Sequence, residues 1–499
     1  MLQHIIDSAN LFRPETTLTV TFCVVLMVDL FLRKRTSASA YVALAGLLLA
    51  GWFVVQQSGS APVSLFSNMV AVDPFSVFFK ALTLASTMLI VLFSLQSNEL
   101  KDARRMMGEY YALLVALTLG MFLMAGATNL LMMYLAIELT SMSSYILSAF
   151  TKDADDSSEA SLKYVIFGAV ASGMMLYGIS ILYGLTGSLD IYGINRVLAA
   201  GDTNTVALLI AGILTMVGFG YKISAVPFHF WTPDVYEGAP LPITALLSVA
   251  SKAAGFAMMM RFFKIMFVDT SAGGLSIGSW LPVQGFEWNH LLAILSVLSM
   301  TIGNLIAVWQ TNLKRLLAYS SIAHAGYMLL GVVVLSNEGF AAVLLYLVIY
   351  FFMNLGAFYA VMLVANATGS EHIDDYKGLG TRSPLIGVAM TILLLSLTGI
   401  PPTAGFVGKL YIFSALVNAK LFWLAVVAAL NSVISLYYYV RVLANMFLKE
   451  PTGSAEPIRY SLAQIVLLMI FVIPTLLLGV YFGPLVEYAQ ASITMFGGR

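Results

Sequence analysis

Three lysines lie inside long apolar segments: Lys222 in LTMVGFGYKISAVPFHFW, Lys252 in LLSVASKAAGFAMMM and Lys409 in SLTGIPPTAGFVGKLYIF. A carboxylate, Glu138 in LLMMYLAIELTSMSSYILSAF, joins them. A charge at mid-bilayer costs roughly 2.5–3.5 kcal/mol on insertion scales, so such residues face protein or trapped water and mark an ion or proton pathway. The chemistry open to this set is the holding and passing of protons. If Glu138 approached and withdrew from Lys222, the change of roughly 1.4–4 kcal/mol would move that lysine between keeping and releasing its proton. A membrane potential contributes a comparable amount, about 2.3 kcal/mol per charge per 100 mV. The hydroxyls Thr140, Ser141, Ser143 and Ser144 could hold water beside the carboxylate, and His229 and His324 are further relay candidates. The competing accounts are a static Glu138–Lys222 pair that fixes helix register, and lysines at 252 and 409 that snorkel to headgroups. Lys80, Asp73, Lys163 and Asp29 lie nearer to span ends and read as interfacial anchors.

The elements that must position these groups are membrane helices. The chain is 60% hydrophobic and only 10% charged over 499 residues, where soluble domains carry about 25% charged residues. Apolar segments of spanning length recur from Thr17–Leu32 to Leu462–Phe482, about fourteen in all. They are continuous, whereas barrel strands would be about 10 residues of alternating character. The expected fold is therefore all-α, a polytopic bundle forming a single membrane domain over residues 1–499. With one cysteine, Cys23, no intrachain disulfide can form. No CxxC, HExxH, Cys/His cluster, GxGxxG or P-loop is visible, so no redox cofactor, metal or nucleotide site is expected on this chain. A net charge of zero argues against a nucleic-acid partner.

Thr128-Asn129-Leu130 and Thr311-Asn312-Leu313 each open a span, and two spans later comes a helix that carries a lysine and is interrupted by proline. These are Lys222 beside Pro227 and Lys409 after Pro401-Pro402. Proline removes an amide donor and pushes against the carbonyl four residues before it, and such backbone survives in a membrane only where protein or a wet cavity receives it. An odd number of spans separates the matching elements. Two inverted repeats are therefore expected, residues 110–267 (spans 4–8) and 291–447 (spans 9–13), with discontinuous spans 7 and 12.

Orientation is read from loop lysines and arginines. Arg33, Lys34, Arg35, Lys101, Arg104, Arg105, Lys152, Lys314, Arg315, Lys377, Arg382, Lys449 and Arg459 follow odd-numbered spans, against Arg13, Arg196, Lys264, Lys420 and Arg499 on the other side. Both termini are expected outside; if the source is bacterial, that is the periplasm and the membrane is the inner (plasma) membrane. MLQHIIDSANLFRPE does not read as a cleaved signal peptide, which leaves the first span as the insertion signal.

VPFHFWTPDVYEGAPLPITALLSVASKAAGF, LKRLLAYSSIAHAGYMLLG and SLTGIPPTAGFVGKLYIF strongly resemble the antiporter-like membrane subunits of proton-pumping NADH:quinone oxidoreductase, respiratory complex I, over essentially the whole chain. Within that family the YEGAP and TGIPPTAGFVGK segments are most similar to the subunit N branch, the counterpart of mitochondrial subunit 2. The resemblance implies a proton relay in which Glu138 is the fifth-span carboxylate, Lys222 its seventh-span partner, Lys252 the central lysine, Lys409 the terminal lysine and His229 the histidine of the break. The role of His324 stays open. It further implies partners among the other membrane-arm subunits, which leaves NADH, FMN, iron–sulfur clusters and quinone to other chains. A subunit of a multisubunit cation/proton antiporter or of a membrane-bound hydrogenase shares the pattern, and a non-conducting scaffold is the reading from a different class.

Overall fold

The computed structural model describes residues 2–32, 36–102, 107–151, 155–201, 203–268, 280–283, 287–451 and 457–496. Among these, thirteen helices are long and apolar enough to cross a membrane. Spans 1 to 6 are Arg13–Phe31, Thr36–Gln57, Pro74–Gln96, Met107–Gly126, Leu130–Ser148 and Asp155–Thr186. Span 7 runs Thr205–Ile223 and resumes as Trp231–Gly238. Span 8 is Leu241–Phe267, and spans 9 to 11 are Trp288–Ala307, Leu313–Val333 and Asn337–Thr368. Two shorter apolar helices, Pro384–Thr398 and Ala404–Asn418, form the two halves of span 12. Phe422–Leu448 and Leu462–Val480 complete the series as spans 13 and 14. The expectation of about fourteen spans with interruptions in the seventh and twelfth is met. Of the residues used to read orientation, Arg33, Lys34, Arg35, Arg104, Arg105, Lys152 and Arg499 lie outside the described residues.

Helices dominate because hydrocarbon offers the backbone no partner but itself. Their starts are written in short polar side chains. Asn129 and Asn312 cap spans 5 and 10 by accepting from Leu131 N and Arg315 N, and Asp73 with Ser76 forms a capping box on span 3. The one β-hairpin among the described residues pairs Val63–Leu65 with Val70–Val72. It turns through Phe66, Ser67 and Asn68, all with positive φ.

Span 8 is wholly enclosed, and spans 10 and 11 nearly so, whereas spans 1, 2, 13 and 14 turn most of their surface outward. A helix that is apolar all round belongs in an interior. Here the most enclosed helix also carries Lys252 and Arg261. Span 8 contains an irregularity that its sequence does not announce: Leu247–Ser251 is a π-turn, directly before Lys252.

The two Thr-Asn-Leu sites have the same local geometry. Leu130 N donates to Leu189 O and Ile191 N to Thr128 O; Leu313 N donates to Glu371 O and Ile373 N to Thr311 O. Each receiving segment follows a Thr-Gly-Ser sequence, Thr186-Gly187-Ser188 and Thr368-Gly369-Ser370. In both, the glycine has positive φ, 67° and 71°, and the serine N–H donates to the threonine hydroxyl.

Two anchors expected at the interface are instead deep in the protein. Lys80 Nζ lies 2.6 Å from Glu15 Oε1 with both side chains at 0% exposure. Gln57 Oε1 also accepts from Lys80, while neither Glu15 oxygen takes a well-directed hydrogen bond. Asp73 accepts 2.7 and 2.8 Å bonds from Arg261. Phe496 N also donates to it. Sequence distance from a span end underestimates depth here, because the hairpin and residues 494–496 cover the end of span 3. Lys163 remains partly exposed and bonds Asp234 and Glu159. Asp29 is half-buried.

Candidate functional site: a buried line of lysines

Lys222 sits in the last turn of the first half of span 7, just before Ser224 ends the helix in a left-handed conformation, φ 61°. Its Nζ donates to Ser141 Oγ of span 5 at 3.4 Å. Gly255 of span 8 admits the stem: a Cβ there would lie 3.3 Å from Lys222 Cγ. Glu138 is one turn before Ser141. The direct Glu138–Lys222 ion pair is not closed, and Glu138 Oε1 is buried without a hydrogen-bond partner.

Lys409 reaches the second break from the other side. It lies in the second half of span 12, and its Nζ folds back to Thr398 O at 2.7 Å, at the C-terminal end of the first half. Gly399, φ 90°, makes room for this path, since a Cβ there would lie 2.8 Å from Lys409 Cδ. Lys222 thus belongs to the last turn of a half-helix and the Lys409 ammonium meets the C-terminal end of another, where the backbone dipole favours a cation. Lys409 also donates to Ser432 Oγ at 3.2 Å and lies 4.5 Å from the centre of the Tyr327 ring.

Lys252 occupies the middle. Its Nζ donates to Ser321 Oγ at 2.6 Å and to Ser321 O at 3.0 Å, and Tyr350 OH donates to the same hydroxyl. One turn on, His324 bonds Tyr346 OH at 2.7 Å through Nδ1 and Tyr439 OH at 3.5 Å through Nε2. Its ring lies 5.1 Å from that of Tyr350 and 5.9 Å from that of Tyr327. His324 therefore bridges the surroundings of Lys252 and Lys409. His229 is placed differently: it packs on Phe230, its Nδ1 has no partner, and among the described residues no hydrogen bond joins it to a lysine.

Lys222, Lys252 and Lys409 are 2%, 1% and 4% exposed. Among the described residues none of them has a carboxylate within ion-pair distance; their hydrogen bonds go to hydroxyls and carbonyls. Burying an unpaired charge is costly. Such an ammonium group responds readily to any charge that moves nearby.

The outer end of this line faces outward. On span 5, Leu131, Leu135, Met142 and Ile146 are exposed, and Glu138 falls on the same stripe by helical spacing.

A family profile described as the membrane segment of NADH:quinone oxidoreductase and Mrp antiporters matches residues 127–435, which contain Glu138, Lys222, His229, Lys252, His324 and Lys409. The chain belongs to this antiporter-like membrane family. The NADH-quinone oxidoreductase subunit N 2 of Chloroherpeton thalassium is 48% identical, covering 98% of this chain and 95% of its own. A chain of respiratory complex I from Thermus thermophilus superposes with a TM-score of 0.78 at 30% identity, covering 96% of this chain and 99% of that one. A chain of the Mrp complex from Dietzia shares the fold, with a TM-score of 0.80 at 21% identity over 99% of this chain and 97% of that one. Like these family members, the protein is a multi-pass membrane protein.

Proposed function

We propose that this chain is the subunit N type of proton-translocating membrane-arm subunit in an NADH:quinone oxidoreductase. In this reading the line Glu138, Lys222, Lys252, His324 and Lys409 carries protons, and redox chemistry, with NADH, flavin, iron–sulfur clusters and quinone, belongs to other subunits. The observation that carries the proposal is the set of three enclosed lysines without counter-ions. A charge change in a neighbouring subunit acts on Glu138, whose position on an outward stripe of span 5 suits that contact. Movement of the carboxylate toward Lys222 favours a proton there, and withdrawal releases it toward Lys252. Ser321 and His324 then connect Lys252 with Lys409. His229 is a secondary candidate that would need movement at the span 7 break to join the line.

The matched Thr-Asn-Leu and Thr-Gly-Ser geometries support assigning 110–267 and 291–447 as inverted repeats. That arrangement gives each half its own broken helix with a lysine at mid-membrane. The loop charges support an orientation with both termini outside, which in a bacterial inner membrane is the periplasm. The test is Glu138→Gln and Lys222→Met, each in the assembled complex, with NADH-driven proton pumping as the readout. Pumping should collapse in both. Normal pumping in both would remove the Glu138–Lys222 switch.

A further inference from the structure

After span 14 the chain turns back as a helix, Gly483–Ser492, which packs on spans 3 and 11 and has no place in the lysine line. Between this helix, the start of span 11 and the second half of span 12 lies a cavity of about 780 Å³. Ligand pockets run from about 300 to 1,000 Å³ and are mostly apolar, with a few placed polar groups. This cavity has that size and that make-up. Leu345, Leu410 and Tyr411 line it from the spans, and Val486, Ala489 and Ile493 from the C-terminal segment. The last three follow one another at spacings of three and four, the spacing of a single helix face.

The lining is graded from polar to apolar. At the face where span 11 begins and span 12 ends stand Asn337, Glu338, Ser414 and Gln490. Leu345 is seven residues further along span 11 than Glu338, and Leu410 is eight residues before Asn418 on span 12. That places the apolar part roughly 10–12 Å below the polar mouth. It is continuous with the lipid-facing side of span 12, where Phe406, Leu410 and Val417 are exposed. The mouth is negative. Asn418 Nδ2 donates to both Glu338 oxygens, at 2.8 and 3.0 Å, and Ser414 Oγ donates to one of them at 3.3 Å. These neutral donors hold the carboxylate in place without neutralising it, and among the described residues Glu338 has no ion pair.

We infer that this cavity seats an aminophospholipid of the bilayer, with an acyl chain in the apolar depth and its primary ammonium on Glu338. A preplaced carboxylate that lacks a cation, at the rim of an apolar pocket at a membrane face, matches this class of amphiphile in both charge and polarity gradient. The ammonium brings three N–H donors, and a carboxylate offers about four lone-pair sites, one more than Asn418 and Ser414 fill. A choline headgroup carries the charge but no N–H. A glycerol headgroup carries no positive charge. The seated lipid ties the C-terminal helix to span 12, and the inference does not depend on the proton-carrying function proposed above.

The test places the assembled complex in vesicles of phosphatidylglycerol and phosphatidylcholine doped with a photoreactive lipid. Three probes share one photoreactive acyl chain and differ only in an ethanolamine, choline or glycerol headgroup, and labelled peptides are read by mass spectrometry. The ethanolamine probe should label the segments 410–418 and 482–493 roughly three- to fivefold more than the other two, the scale of a partly exposed ion pair. Glu338→Gln should erase that preference, and Ala489→Trp, which fills the apolar depth, should lower labelling by all three. Equal labelling by the three probes, a preference that survives Glu338→Gln, or unchanged labelling in Ala489→Trp overturns the proposal. Absence of label from both segments also overturns it and assigns the cavity to a neighbouring subunit. Because pumping is not the readout, failure of this seat and failure of the relay are distinguished.

Discussion

Where span 3 meets spans 1 and 8, Lys80 lies 2.6 Å from Glu15 and Arg261 grips Asp73 through two bonds, with all four side chains at 0% exposure. Along the relay Lys222, Lys252 and Lys409 are nearly as deep, yet hydrogen-bond to hydroxyls and carbonyls and to no carboxylate. The same low-dielectric interior holds cations under two different rules. A paired charge is locked, because removing either partner strands the other at a cost of about 3–5 kcal/mol. An unpaired lysine is not locked in one protonation state, and its occupancy follows the charges around it. Pairing, more than depth, separates the structural charges from the working ones.

The sharpest way to break this contrast is Lys252→Met, which should abolish pumping while the assembled complex keeps its thermal midpoint. Importing the first rule into the second region comes next. Ser321→Asp would give Lys252 a permanent counter-ion, and it should slow pumping at least tenfold, about 1.4 kcal/mol of added proton retention. In the other direction, Glu15→Gln should cost about 3–5 kcal/mol of stability by stranding Lys80, read as a lower thermal midpoint with pumping per assembled complex unchanged. Glu15→Leu with Lys80→Met should recover most of that loss. The Asp73 clamp sharpens the point through pH. Burial alone would raise its carboxyl, but Arg261 overrides burial and holds it below the ordinary 3.8. Its contribution is therefore complete above about pH 3.8 and fades only as the pH falls through the lower folded value. Acid titration of stability should show no loss from this clamp between neutrality and that limit. The smallest effect belongs to His229→Ala, expected to change pumping less than twofold, since its Nδ1 is unpartnered.

The relay lysines were legible in the sequence because a charge inside an apolar run is rare and costly. The two helix breaks were legible because proline leaves carbonyls unpaired. What surrounds His324 was not. Tyr346, Tyr350 and Asn354 fall on one face of span 11 at four-residue spacing, but tyrosines in a membrane helix read equally well as packing or interface belts. Ser321, His324 and Tyr327 in SSIAHAGY carry the same signal at three-residue spacing. Lys80 and Asp73 were misread because their partners come from span 1, span 8 and the far C-terminal segment, pairings that no local pattern reports. The Thr-Asn-Leu repeat was legible, but the two Thr-Gly-Ser sequences were not singled out, because their meaning depends on the bridges that the residues after them make to Thr128 and Thr311.

The complete enclosure of span 8 bears on how the protein is made. Helices enter the bilayer in chain order, so a nascent chain that has produced span 8 but not spans 10 and 11 holds Lys252 without Ser321. Until those later helices arrive, acyl chains or an insertion factor must shield the ammonium. Biogenesis is thus most vulnerable midway through translation, and truncated products ending soon after Phe267 should be prime substrates for membrane quality-control proteases.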